Sequence, residues 1–288
     1  MQQLADLLAM IPLPDLERVE ASTAVPTGGS ASLLAGLTPC SKTLATDSFL
    51  TELGADMPAG HLHVWGGPSG AGKTAFLLCL LQRAAAQGRR VVYATYDLPP
   101  DSLAMRLLAM TAGVKWRALP DPGGSSDTCT LGTDALARAH AARSLLSSLP
   151  FTVLPARGFS ARSLRDRVVR MPFRADVLAV DYLQGVIREP GSEVGVALRD
   201  LSALAAQLHV AVICAVRSED GSAAETSDDL ESLRESGVSL PDRVGWIAPL
   251  EAAGARQARI VHNPHGTTPD VPLHFDEATG SMGRAEAP

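Results

Sequence analysis

The chain has 288 residues, 46% of them hydrophobic, 19% charged and 4% aromatic, with a formal net charge of −6 and a pI near 5.6. Such a composition excludes a disordered chain and describes an ordinary globular protein whose core is built from Ala, Leu and Val rather than aromatics. The acidity argues against broad non-specific nucleic-acid binding, which needs Lys and Arg against phosphates, while leaving room for a local basic channel in a ring.

In chain order, residues 2–11 carry apolar side chains at helical spacing. Pro12, Pro14, Pro26 and the Gly/Ser-rich run over 27–32 then read as a linker. The expected division is an N-terminal helix and linker over 1–38, a main domain over 39–277 and a flexible tail over 278–288. Strands and helices alternate from His61 onward: strand 61–65, helix 74–87, strand 90–96, helix 100–112, a Pro/Gly-rich loop over 119–132, helix 134–146 and strand 151–154. Helix 163–171, strand 177–181, helix 194–208 and strand 210–215 follow. A polar segment over 218–229 is expected to be mobile, and β-rich stretches over 244–247, 258–262 and 271–275 finish the pattern. This is the order of an α/β fold: a mostly parallel sheet with helices on both faces and a β-rich C-terminal edge. No apolar run approaches the ~18–20 residues of a membrane span, and the first ten residues contain no Lys or Arg. Cys40, Cys79, Cys129 and Cys214 have no CxxC spacing, so neither zinc nor a disulfide framework is expected. The expectation is a reduced, cytoplasmic protein without membrane association.

One octapeptide carries specific chemistry. Gly67-Pro68-Ser69-Gly70-Ala71-Gly72-Lys73-Thr74 matches G-x-x-x-x-G-K-[ST] in full. Its glycines permit a tight loop whose backbone N–H groups converge on phosphate oxygens, and the following helix adds its positive end. Lys73 would reach the β- and γ-phosphates of ATP, and the Thr74 hydroxyl would coordinate Mg²⁺. An apolar strand precedes the loop and an amphipathic helix follows, which argues against a chance match. A second apolar strand, Val177-Leu178-Ala179-Val180-Asp181, ends in a carboxylate placed to order the Mg²⁺ ion and its water shell. Alone that pattern is weak; paired with the loop it is strong.

Several stretches in order resemble the C-terminal ATPase domain of DnaB-like replicative DNA helicases, a group within the RecA-like superfamily. They are the strand and loop from Gly60 to Phe76, the strand from Val91 to Leu98, the helix Leu103-Ala104-Met105-Arg106-Leu107-Leu108-Ala109, Asp181-Tyr182-Leu183-Gln184, and Leu233-Arg234-Glu235-Ser236-Gly237 followed by Asp242. The resemblance implies a RecA-like fold, ATP and Mg²⁺ as cofactors, assembly into a homo-oligomeric ring such as a hexamer, and single-stranded DNA as a partner. It places Asp97 where the family's water-activating carboxylate stands, Asp181 and Gln184 in the magnesium-strand signature, and Arg217 where a γ-phosphate sensor stands. The family's N-terminal primase-interacting domain has no counterpart in residues 1–45. A helix at 2–11 could dock on a neighbouring subunit or protein partner through the 1–38 region; packing on its own domain is at least as good an expectation.

The departures bear on mechanism. Asp97 replaces a Glu and is one methylene shorter. His262 and Pro264 stand where the family carries a Lys-x-Arg finger, leaving Arg256 and Arg259 as nearby substitutes. Arg217 replaces a Gln, and Glu219 and Asp220 put negative charge where DNA-binding members are polar or basic. Arg162, Arg165, Arg167 and Arg170 form the best basic stripe, though at a spacing that wraps more than one helix face. Two readings follow: a ring-forming, DNA-stimulated ATPase motor, or a nucleotide-binding paralogue with weak hydrolysis acting as scaffold or regulator. A phosphotransferase built on the same loop has no acceptor-binding signature to support it.

Overall fold

Short apolar runs separated by one-faced helices can satisfy their backbone only by lying side by side and covered above and below. The computed structural model describes residues 1–16, 48–53, 56–186, 194–217, 241–264 and 266–285. The chain opens with β1 (Gln2–Gln3), α1 (Leu4–Ala9) and α2 (Ser48–Glu52), then β2 (Leu62–Gly66), α3 (Lys73–Ala86), β3 (Val91–Thr95) and α4 (Pro100–Ala112). It continues through α5 (Thr133–Ser147), β4 (Phe151–Pro155), α6 (Ala161–Val169), β5 (Val177–Asp181), α7 (Leu183–Val186), α8 (Val194–Leu208) and β6 (Ala211–Ala215). The closing strands are β7 (Arg243–Pro249), β8 (Ala255–His262), β9 (Asp270–Asp276) and β10 (Ser281–Arg284).

The described strands form one sheet in the order β1-β4-β3-β5-β6-β2-β7-β8-β9-β10. From β4 to β7 every neighbouring pair is parallel. β1 at one edge and β8, β9 and β10 at the other are antiparallel. β2 leads into β3 across two intervening strands, so the chain reverses its winding beside β2 and opens a crevice at the carboxyl ends of the strands.

Alternation along the strands feeds two cores. Val91, Tyr93, Phe151, Val177 and Ile213 face a layer containing α1, α3, α4 and α5, and Val92, Ala94, Leu154, Leu178 and Val212 face α6 and α8. With so few aromatics the packing is mostly aliphatic. Trp65 against Phe76, with ring centroids 4.4 Å apart, is the chief aromatic anchor between β2 and α3. Helix ends obey local chemistry. α4 starts at Pro100 with Asp101 in its first turn and stops at Gly113, whose φ of +62° is left-handed. α6 begins earlier than expected because the Ser160 hydroxyl accepts from the Ser163 N–H and caps it. Among the described residues no helix is long and apolar enough to cross a membrane.

Two boundary expectations are corrected. Residues 2–14 are part of the main domain: Leu4, Leu7, Leu8 and Ile11 are fully buried in the core shared with α4 and α5. Gln2 and Gln3 pair with β4, the His140 ring meets the Pro14 carbonyl at 2.9 Å, and Arg143 donates to the Ile11 carbonyl. The apolar stripe of α1 is thus satisfied within its own chain. The tail does not fray at 278 either. An Asx turn, in which Asp276 accepts from the Ala278 N–H and the Thr279 hydroxyl, returns the chain into β10 and buries Met282. The expected linker, the domain start near Pro39, the polar segment with Glu219 and Asp220, the 233–237 motif and His265 lie outside the described residues.

His63 on β2 is buried without room for its charged form. Burial, then the Arg243 guanidinium, lower its pKa from 6.5 to about 4, against the opposing pull of Asp56 and Asp242 and alongside the repulsion of His61. The unfolded chain therefore binds a proton between pH 6.5 and 4 that the folded chain refuses, so stability falls as pH drops through that window. The full effect is about 3 kcal/mol. Urea midpoints measured at pH 7, 6, 5 and 4 should decline accordingly, and His63→Gln should flatten the decline between pH 6.5 and 5.

Candidate functional site

The crevice beside β2 gathers the ends of four parallel strands. The loop after β2, Asp97 after β3, Asp181 at the end of β5 and Arg217 after β6 all open on one cleft of about 320 Å³. These were the residues singled out from sequence, and the sheet order brings them together because β3, β5, β6 and β2 are four consecutive strands.

The loop's shape depends on two glycines. A Cβ at Gly67 would stand 2.3 Å from the Ile247 carbonyl oxygen, so only glycine lets the loop pass under β7. Gly72 has a φ of +93° and a side chain there would meet the Met282 methyl at 2.7 Å. Gly72 is also the N-cap of α3, so the unpaired N–H groups of that helix face the cleft. Ser69, Gly70, Gly72, Lys73 and Thr74 line it, whereas Ala71 is buried beneath the loop. Lys73 Nζ donates to the carbonyls of Gly67 and Pro68, each at 2.7 Å, so the ammonium stitches its own loop. Burial, then the nearby Arg217, lower its pKa to about 8, with Asp181 opposing.

The Asp181 carboxylate is nearly buried, and one of its oxygens, Oδ2, accepts two hydroxyls: Thr74 Oγ1 at 2.9 Å and Tyr93 OH at 2.6 Å. Donation by Thr74 leaves that hydroxyl's lone pairs available to a cation, and Asp181 keeps its second carboxylate oxygen for the same purpose. The donor set is oxygen only, which fits Mg²⁺, a hard ion that keeps most of its waters. Tyr93 is fully buried, and burial, then the negative charge of Asp181, raise its pKa well above 10. It acts as a fixed donor. Tyr93→Phe would remove one of two donors to a buried carboxylate and should cost about 2 kcal/mol in urea unfolding.

Asp97 and Arg217 form the far wall. Asp97 is 58% exposed, and its Oδ2 lies 4.0 Å from an Arg217 guanidinium nitrogen. That guanidinium sits 4.7 Å above the Tyr182 ring. Gln184, expected to touch the cofactor, instead clamps the Arg217 backbone, donating to its carbonyl at 2.6 Å and accepting from its N–H at 3.2 Å. Gln184 thus fixes Arg217 rather than lining the cleft.

Sequence reasoning did not assign Arg106, Tyr93, Tyr182 or Phe275 to the site. Arg106 is the one charged residue in an apolar stretch of α4 and lines the cleft from its exposed side, a signal visible in LAMRLLAM. Phe275 arrives from β9, far away in sequence, and no local pattern marks it. The proposed substitutes for the finger are engaged elsewhere. Arg259 is held by Asp270 at 2.8 Å, and Arg256 is buried over the Phe275 ring with one nitrogen 3.4 Å from Glu277. His262 and Pro264, at and just past the end of β8, do not line this cleft.

A family model described as the DnaB-like helicase C terminal domain matches residues 49–243. Among solved structures the chain is similar to one described as an ATPase domain, at 17% identity and a TM-score of 0.67, covering 91% of this chain and 100% of that one. It is also similar to a DnaB-like replicative helicase described with its interactions with primase, at 17% identity and a TM-score of 0.65, covering 80% of this chain. The chain spans 60% of the length of that helicase. No curated protein matches it. At such identities the structural likenesses show the fold alone.

Proposed function

The chain belongs to the DnaB-like helicase C-terminal domain family, and on that basis and the cleft geometry we propose that it binds ATP with Mg²⁺ and hydrolyses it slowly, in an assembly of like subunits. The observation that carries the reading is the convergence of Lys73, the Thr74–Asp181 pair, Asp97 and Arg217 on one cleft at the carboxyl ends of β2, β3, β5 and β6. In this reading Lys73 leaves the Gly67 and Pro68 carbonyls for the β- and γ-phosphates. The N–H groups of the loop and of α3 neutralise the remaining charge. Thr74 and Asp181 would hold Mg²⁺, whose charge would offset that of the phosphates. Asp97 orients and deprotonates the attacking water, and Arg217 sits close enough to contact the γ-phosphate in cis.

Slow turnover follows from two features. The Asp97 carboxylate is short and drawn towards Arg217, and Arg256 and Arg259 are committed within their own subunit. A finger is worth about 10³–10⁵ in rate in P-loop enzymes. Single-stranded DNA binding and ring assembly enter as expectations from the family, and processive unwinding is the least supported of them. The second reading, a nucleotide-gated scaffold or regulator, draws on the same two features. Mg²⁺-dependent ATP turnover, measured with and without single-stranded DNA, separates the two. Turnover stimulated by DNA supports the motor; tight ATP binding with negligible turnover and no DNA response supports the scaffold.

A further inference from the structure

The end of the sheet opposite the phosphate cleft carries a second concavity. It is a groove of about 350 Å³ where the last turns of α6 and α8 part, beside the amino ends of β5 and β6. Val169, Met171, Phe173, Leu208 and Val210 face it, and Arg174 is the one charged residue in its wall among the described residues. We propose that this groove, rimmed by arginines, docks an acidic peptide segment of a partner protein through one or two large apolar side chains. The proposal stands apart from the nucleotide site, since β5 puts about 17 Å of strand between the two.

The charge around the groove is the first argument. Residues 157–174 hold Arg157, Arg162, Arg165, Arg167, Arg170 and Arg174 against Asp166 alone, in a chain whose net charge is −6. The two nearest carboxylates are already engaged: Asp166 by Arg165 at 3.1 Å, and Asp176 by Arg90 at 3.2 Å. Arg162 and Arg170 are exposed and have no ion-pair partner among the described residues. On α6 the positions 162, 165 and 169 fall on one side of the helix, so two arginines run in line with the Val169 side chain. Arg167 points to the other side and takes no part.

The walls are fixed, which lowers the ordering cost of binding. Arg165 bridges the helices by donating to the Gln207 side-chain carbonyl at 3.3 Å and closes one end of the groove. The Met171 N–H bonds the Val168 carbonyl, and Arg174 reaches the carbonyl of His209, whose φ of +50° turns the chain out of α8. Val169 is nevertheless 60% exposed, an aliphatic side chain left at the lip. A volume near the low end of the roughly 300–1,000 Å³ of ligand pockets admits a side chain or two and not a helix about 10 Å across. A nucleic acid would satisfy the arginines and leave the aliphatic floor wet. A peptide with carboxylates flanking a large apolar residue satisfies both, and guanidinium groups pair with carboxylates two bonds at a time.

The test titrates the full chain into a fluorescein-labelled peptide, Asp-Glu-Phe-Asp-Asp-Leu-Glu-Asp, and follows its anisotropy. Saturable binding that weakens with added salt is expected. Replacing Phe and Leu of the peptide by Gly should weaken it at least about tenfold, the scale of leaving one apolar side chain unburied. Val169→Asp should do the same, and its exposure means that the fold survives the change. Arg162→Glu combined with Arg170→Glu should weaken binding about tenfold and flatten its salt dependence. ATP affinity should stay within about twofold in both variants. No saturable binding by about 1 mM protein, or binding indifferent to Val169→Asp, overturns the site. An oligothymidylate that displaces the probe and suffers the same losses would make this a nucleic-acid surface. A change of oligomeric mass on Val169→Asp, read by light scattering, would make it a contact between copies. Either result overturns the peptide reading.

Discussion

Lys73→Ala is expected to abolish ATP binding, lowering affinity by at least about 10²-fold, while the fold survives. Removing an ammonium that makes charge-assisted hydrogen bonds to phosphate in a half-buried cleft forfeits about 3–4 kcal/mol. The cost does not fall on stability in the same way. The ammonium is partly desolvated and donates to the Gly67 and Pro68 carbonyls, so its loss relieves burial as it removes two hydrogen bonds. Urea midpoints of variant and wild type should therefore lie close together while ATP titrations diverge. Lys73→Arg should not restore binding, because the planar guanidinium cannot take the narrow path between the loop carbonyls and the phosphates. ATP affinity within about threefold of wild type in Lys73→Ala would dismiss the loop as the phosphate site.

The site was legible in the sequence where its chemistry is local. Gly67 to Thr74 works as an octapeptide, because the tight turn, the N–H cradle and the helix start are all made by contiguous residues. Asp181 was legible only in company: an apolar strand ending in a carboxylate is a weak pattern alone, and the phosphate loop before it in the chain gives it meaning. Partners that meet across the sheet could not be read this way. Tyr93 looks like one more β-former in an apolar strand, and nothing in VVYAT announces that β3 lies beside β5 and delivers a hydroxyl to Asp181. Phe275 lies far beyond the loop in sequence and reaches the cleft only through the order of the closing strands. Gln184 was placed at the cofactor by analogy with a motif, whereas its amide matches both backbone groups of Arg217, a pairing visible only in three dimensions.

The same limit explains the edges of the fold. An amphipathic helix before a Pro-rich stretch can pack at home or abroad, and its stripe is identical in both cases. Here Arg143 and His140 on α5 decide it, since they reach back to the carbonyls that follow α1. β10 is four residues with a glycine among them, too short for a periodic signal, and it forms because Asp276 closes the turn and Met282 fills the space beneath Gly72.

Asp97→Glu is expected to raise ATP turnover by up to about 10²-fold with ATP affinity within about threefold. Asp97 follows β3 and lines the cleft together with the Thr74–Asp181 pair, a position from which a carboxylate can orient water at the γ-phosphate. With an aspartate its oxygens stop about 1.5 Å short of where a glutamate would place them, and a misplacement of that size costs on the order of 10²-fold. The shorter side chain also sits near Arg217, which draws the carboxylate towards the side wall; an extra methylene lets it keep that contact and reach inward. Asp97→Asn is the complementary variant: it keeps shape and loses basicity, so turnover should fall at least about tenfold while binding persists. The pair of results has a definite meaning. A gain with Glu and a loss with Asn make Asp97 the base and its length the limit on rate. A loss with Asn but no gain with Glu keeps Asp97 as the base and moves the limit to the missing finger, where Pro264→Arg becomes the informative substitution. Indifference to both would remove Asp97 from the mechanism and leave a family member in which nucleotide binding, rather than hydrolysis, does the signalling.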